Sequence, residues 1–228
     1  MRFSEIDLLA ELERPEHEVL RELFHSRSLP AGSLLYSPDA RENLIFVIRS
    51  GAVRVFLACE SKEFTLAILG PGDIYATHSG AYVQAMDKPV EMLVTQVNEV
   101  SRRLVDVPEF TKTMVRVLGQ MLSNSFDTIR GLAFQSSSER LAQLFLAQSR
   151  AIRLQQGEEG GVEVQLGLNM QQIADVVGAS RQTVSSLINE FMRQGLLEKR
   201  GRGVFFLPDL DGLRRTAGLL AIPEPEKK

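Results

Sequence analysis

The chain has 228 residues, 44% hydrophobic and 24% charged, with a formal net charge of −3 and a single cysteine. That length predicts two compact domains and a connector. Lone Cys59 excludes an internal disulfide and paired-thiol redox chemistry, and the absence of a bilayer-length apolar run or a signal peptide predicts a cytoplasmic globular protein with no membrane partner.

The charge is uneven along the chain. Residues 1–134 hold 14 Lys/Arg against 18 Asp/Glu, residues 135–228 hold 12 against 11, and residues 180–215 hold 7 against 4. A local positive excess on an acidic chain is the pattern of one face that meets phosphate. Ordinary solvated surface accounts for it equally well when the count stands alone.

Residues 1–25 carry apolar positions at Ile6, Leu8, Leu9, Leu12, Val19, Leu20, Leu23 and Phe24, and Pro15 divides them into two short helices. From Leu29 the pattern changes to short β-rich runs: Leu44–Arg49, Ala52–Ala58, Phe64–Leu69, Ala81–Met86 and Val90–Val97. Turn residues Ser50-Gly51, Gly70-Pro71-Gly72-Asp73 and Asp87-Lys88-Pro89 separate them. Many short strands at this spacing predict an antiparallel sandwich, roll or barrel over residues 1–108.

After Pro108 the period becomes helical. Phe110, Met114, Leu118, Met121, Leu122, Ser125, Ile129 and Leu132 recur at threes and fours, which predicts one long stripe over residues 109–135. Such a helix packs on its own β domain or pairs with a second copy, and small Gly119 and Ser125 in the stripe favour pairing. Ser136-Ser137-Ser138-Glu139 then reads as a break and a capping box, starting a helix from about Ser137 to Leu154 and a final domain, residues 136–228. The Gly-rich stretch 157–161 precedes a short strand around Val162–Leu166.

Residues 168–193 carry the strongest signal. Asn169 serves as an N-cap, and Met170, Ile173, Ala174 and Val177 fall on one face of a short helix. Gly178-Ala179-Ser180 supplies a three-residue turn. A second helix buries Val184, Leu187, Ile188 and Phe191 and leaves Arg181, Gln182, Ser185, Ser186 and Asn189 on its other face. Arginine forks onto guanine, glutamine onto adenine and serine serves either base, so this face suits the edges of base pairs in double-stranded DNA. Residues 196–207 read as a hairpin around Gly201-Arg202-Gly203, with Lys199, Arg200 and Arg202 near its tip for phosphate contact.

The β roll, the long helix and the run Gly178-Ala179-Ser180-Arg181-Gln182-Thr183-Val184-Ser185 together resemble the CRP/FNR superfamily of bacterial transcription regulators, over essentially the whole chain. The expected fold class is therefore α+β: an antiparallel β roll, a dimerisation helix and a C-terminal winged helix-turn-helix. The resemblance implies a homodimer that binds an operator duplex and contacts RNA polymerase.

Several effectors of that superfamily are excluded by what this chain lacks. Cyclic-nucleotide binders cradle the phosphate with an arginine, whereas the matching run Gly72–Ala85 has neither arginine nor lysine, which would leave a phosphate desolvated and unpaired. Oxygen-sensing members hold an iron–sulfur cluster through several cysteines. Inside Gly72–Ala85, His78 and its neighbours are similar to the haem segment of the carbon-monoxide-sensing branch. The similarity extends through Asn43–Val47, Lys62–Leu66 and Met114–Gly119.

That resemblance implies one haem b per subunit and CO as effector. It implies His78 as an iron ligand, an asparagine at Asn43 that orients the imidazole, and the amino terminus of the partner subunit, here on Met1, as the displaceable second ligand. Gly119 with Val115, Leu118 and Leu122 would form the distal wall. The best-characterised member of that branch carries a cysteine two residues before the histidine as ferric ligand, where this chain has Ala76, so that redox-linked exchange is not available here. Nitric oxide on haem, or a non-haem small molecule in the same fold, stays open as the alternative effector. An enzyme is not expected, because metal-dependent catalysis in such β folds needs two or more histidines and a carboxylate, and the β region holds His78 alone.

Overall fold

The computed structural model describes residues 7–40, 42–60, 62–103, 107–156 and 161–219. They form two compact units that divide between Thr128 and Ile129.

The first unit begins with α1 (Leu8–Leu12) and α2 (Glu18–Arg21). Asp7 caps α1 by accepting from the Leu9 and Ala10 amides at 3.1 and 3.2 Å. Pro15 opens a separate 3-10 turn, Pro15–His17, since proline supplies no N–H for a helix interior. Eight strands are described next: β1 (His25–Leu29), β2 (Leu34–Tyr36), β3 (Leu44–Ser50), β4 (Val53–Cys59), β5 (Lys62–Leu69), β6 (Ile74–Ala76), β7 (Tyr82–Ala85) and β8 (Val90–Gln96). They make two antiparallel four-stranded sheets, ordered β1-β8-β3-β6 and β2-β7-β4-β5. The periodicity predicted β3, β4, β5, β7 and β8; β1, β2, β6 and the helix α3 (Val97–Arg103) are additions.

Phe46, Ile48, Val53, Val55, Leu69, Val83 and Met92 fill the space between the sheets. A second cluster joins Val47, Ile74 and Leu93 to Leu8, Leu12 and Leu20, and to Phe110 and Val117 of α4 (Pro108–Phe134). Strand β3 is thus buried on both faces, which is why its sequence reads as an apolar run without alternation.

The single stripe expected on α4 resolves into two faces. Phe110 and Val117 are buried against the first unit and Met114 and Met121 half-buried beside them. Val115, Leu118, Leu122, Ile129 and Leu132 remain 63%, 60%, 55%, 60% and 45% exposed. Val115, Leu122 and Ile129 are seven residues apart, as are Leu118, Ser125 and Leu132, so the exposed face carries a heptad seam.

In the second unit, Ser136 and Glu139 form the expected capping box of α5 (Ser137–Gln156). The Glu139 amide donates to the Ser136 hydroxyl at 3.2 Å and the Ser136 amide to the Glu139 carboxylate at 2.6 Å. β9 (Val162–Gln165), α6 (Met170–Val177), α7 (Arg181–Arg193), β10 (Glu198–Gly201), β11 (Val204–Leu207) and α8 (Leu210–Thr216) follow. Their core gathers Leu141, Phe145, Val164, Ile173, Val184, Phe191, Leu207 and Leu213, with Phe145 and Phe205 edge to face at 5.2 Å. The sequence reading did not anticipate α8.

Candidate functional site

The helix-turn-helix is built by local chemistry at each junction. Asn169 accepts the Gln171 and Gln172 amides at 2.9 and 3.0 Å, and Gln172 returns a bond from the Asn169 amide at 2.7 Å, closing a capping box on α6. Gly178 ends that helix at φ +67°, in the left-handed region that favours glycine. Ser180 then caps α7 by accepting the Thr183 amide at 3.0 Å. Val184, Ile188 and Phe191 are buried, which turns Arg181, Gln182, Ser185, Ser186 and Asn189 outward. All five are exposed, and their side chains make no hydrogen bond to another described residue. Unspent donors and acceptors at the exposed start of a helix are what base-edge contact requires.

The hairpin of β10 and β11 lies beside β9 in a three-stranded sheet. Lys199 and Arg202 are exposed and free of partners among the described residues. Arg200 is placed differently. Its guanidinium lies 3.9 Å over the Phe206 ring and 3.6 and 3.7 Å from the Glu198 and Glu163 carboxylates, so its charge is shared with the sheet that carries it.

Sequence reasoning passed over Arg140. It donates to the carbonyls of Val177 at 2.7 Å, Gly178 at 3.3 Å and Gly131 at 3.4 Å, to the carbonyl of Gln135, and to the Ser137 hydroxyl at 3.3 Å. One guanidinium thus donates to carbonyls at the C-terminal ends of both α4 and α6, where a helix leaves acceptors without an internal partner.

In the first unit Asn43 immediately precedes β3 and His78 lies in the turn that follows β6. The ladder pairs Ile45 with Ala76, Phe46 with Tyr75 and Val47 with Ile74. Beyond that pair the Thr77 hydroxyl, bonded to the Leu44 amide and the Glu42 carbonyl, keeps the two chains together. Residues Thr77–Ser79 form a 3-10 turn ended by Gly80 at φ +75°. The Tyr75 and Ser79 hydroxyls close across this turn at 2.6 Å, and burial raises the Tyr75 phenol above its ordinary value, opposed by the Ser79 bond. Asn43 is exposed, and its carbonyl accepts the Val97 amide at 3.0 Å. The side chain of His78 and all of Met1 lie outside the described residues. Gly119 sits between Leu118 and Leu122 on the exposed face of α4, with nothing within 4 Å of where a Cβ would stand.

A β roll, a long helix with an exposed heptad and a winged helix-turn-helix define a DNA-binding transcription regulator. Residues 139–216 match the model of the Crp-like helix-turn-helix domain. A CRP-like cAMP-activated global transcriptional regulator of Mycobacterium tuberculosis is 26% identical over 195 residues, 82% of this chain and 86% of that protein. The chain belongs to the CRP/FNR family of transcription regulators.

Within that family it is close to CooA. A CooA double mutant from Carboxydothermus hydrogenoformans is 38% identical, covers 95% of this chain and 98% of its own, and superposes with a TM-score of 0.85. The reduced (FeII) CO-sensing protein from R. rubrum is 28% identical, covering 95% of this chain and 100% of its own with a TM-score of 0.51. The heme domain of CooA from Rhodospirillum rubrum is 28% identical over 57% of this chain and 97% of that domain, again at 0.51.

Proposed function

We propose that this chain is a haem-dependent, carbon-monoxide-sensing regulator that binds operator DNA as a homodimer. His78 is the iron ligand from its own chain, Asn43 orients the imidazole, and the terminal amine of Met1 in the partner subunit is the displaceable ligand. One haem b per subunit is the cofactor, and the operator duplex and RNA polymerase are the further partners. The observation that carries the reading is the 38% identity and TM-score of 0.85 to a CooA over 95% of this chain, supported by Thr77, the neighbour of His78, bonding the residues on either side of Asn43.

A histidine in the turn after β6 is of the donor type that haem iron takes from a protein. Among the described residues no three His, Cys, Asp or Glu side chains are grouped to hold a metal. Haem brings four nitrogens of its own and asks the protein for one or two axial donors. The group would supply a ferrous iron that takes a neutral diatomic ligand.

The chain's own residues do the rest. Val115, Leu118 and Leu122, with the small Gly119 among them, offer an apolar wall on the exposed face of α4. The same face, continued through Ile129 and Leu132, is the seam for a second copy. An effector that changes contacts on this face biases the dimer between two states. On the DNA side, Arg181, Gln182, Ser185, Ser186 and Asn189 read base edges, while Lys199, Arg200 and Arg202 position the wing on phosphate.

The test is the absorption spectrum of anaerobically reduced, haem-supplied protein before and after CO, with His78→Ala alongside. A six-coordinate ferrous spectrum that shifts on CO, and is altered in the variant, is the expected result. A protein that takes up no haem overturns the effector assignment and leaves the DNA-binding regulator standing.

A further inference from the structure

We propose that Thr77 is a positioning residue: its hydroxyl pins residues 42–44, and with them Asn43, beside the turn that carries His78. The inference rests on the haem reading above and adds to it the part that fixes the residue orienting the ligand. Thr77 is 0% exposed. Its hydroxyl accepts the Leu44 amide at 2.9 Å and donates to the Glu42 carbonyl at 3.2 Å. The two bonds bracket Asn43 on both sides.

The location explains why a side chain is needed here. The β3–β6 ladder ends at Ile45 and Ala76, because the backbone turns at Thr77 into the 3-10 turn and can no longer pair with the opposite strand. The hydroxyl takes over the ladder's role one step further along, acting as donor and acceptor at once. The Val97 amide holds the Asn43 carbonyl from α3 at 3.0 Å. The backbone of Asn43 is thus fastened on three sides while its side chain stays exposed. Valine at 77 would fill the same volume and make neither bond, and serine would keep both.

The full-length, haem-loaded chain with Thr77→Val, Thr77→Ser, Asn43→Ala and the double variant Asn43→Ala/Thr77→Val tests this. Haem retention, the ferrous spectrum and the CO dissociation constant are measured, together with amide hydrogen exchange at Leu44 in the haem-free protein. We expect Thr77→Val to lose protection at Leu44, to shift the ferrous spectrum in the manner of Asn43→Ala, and to weaken haem retention about tenfold, the lower end for a residue that orients a metal ligand. Thr77→Ser restores all three, and the double variant matches Asn43→Ala alone, because the threonine acts through the asparagine.

Thr77→Val with wild-type spectrum, retention and CO affinity overturns the role, as does a double variant whose effects simply add. If Thr77→Val does not fold, Thr77→Ser against Asn43→Ala decides the matter: a serine variant that behaves like Asn43→Ala counts against the hydroxyl. Absence of haem uptake by the unsubstituted chain defeats the haem reading itself, and this inference with it. Normal uptake with a silent Thr77→Val defeats this inference alone.

Discussion

Leu122→Ala is the substitution that most directly probes the exposed heptad of α4. Leu122 is 55% exposed in the single chain, so a little over half of its surface is left for a partner to cover. Full burial of a leucine is worth about 2.5 kcal/mol, and the uncovered half about 1.3 kcal/mol. A twofold seam carries every substitution twice, which brings the loss to about 2.6 kcal/mol, or roughly a 100-fold rise in the dimer dissociation constant. Sedimentation equilibrium on the full haem-loaded chain without CO, across concentrations that bracket dissociation, measures it. Gln120→Ala is the control: Gln120 is exposed on the same helix but off the seam, bonded only along it to Asn124 at 3.0 Å. A dissociation constant for Leu122→Ala within threefold of the control would refute the assignment of this face to a second copy.

Arg181→Ala should cost about 1–3 kcal/mol of discrimination between operator and random DNA while leaving the dimer and haem content unchanged; competition binding with both duplexes reads this, and retained discrimination counts against base contact by Arg181. Arg202→Ala should weaken all DNA sequences alike and lower the salt slope by about one, whereas a sequence-selective loss would remove the wing from the phosphate backbone. Arg140→Met should destabilise the second unit by about 3 kcal/mol in urea, since carbonyls lose charged partners, and Arg140→Lys should recover less than half because an ammonium lacks the planar fork; a lysine variant as stable as the unsubstituted chain contradicts that account. Glu139 is held below the usual carboxylate range by the Ser136 amide, helped by the Ser136 hydroxyl and more weakly by Arg140. A depressed carboxyl stabilises above its unfolded value and stops doing so as pH falls through the folded one, so the start of α5 should loosen in acid, and Glu139→Gln should remove that component from amide exchange measured against pH.

Local signals were legible wherever the structure uses local chemistry. The Asn169 and Ser136 caps, the glycine turn at 178 and the outward face of α7 depend on contacts within four residues, so spacing alone exposes them. Strand β1 escaped because four of its five residues are exposed, leaving no alternation to read, and β2 and β6 are three residues each. The two faces of α4 merged into one stripe because both repeat at threes and fours, and only the surrounding fold separates Phe110 and Val117 from Leu118 and Leu122. Thr77 was invisible for a different reason: its partners lie 33 and 35 residues away. Asn43 and His78 were legible through family resemblance alone, because neither belongs to a local spacing pattern.

The Arg140 guanidinium has a mechanical consequence. Its bonds straddle the break in helix at Gln135 and Ser136, gripping Gly131 and Gln135 on one side and Ser137, Val177 and Gly178 on the other. A chain break that would otherwise be a swivel is thereby splinted. The last turn of α4 is tied to the bend that precedes α7, so within the second unit one side chain holds both ends of that junction.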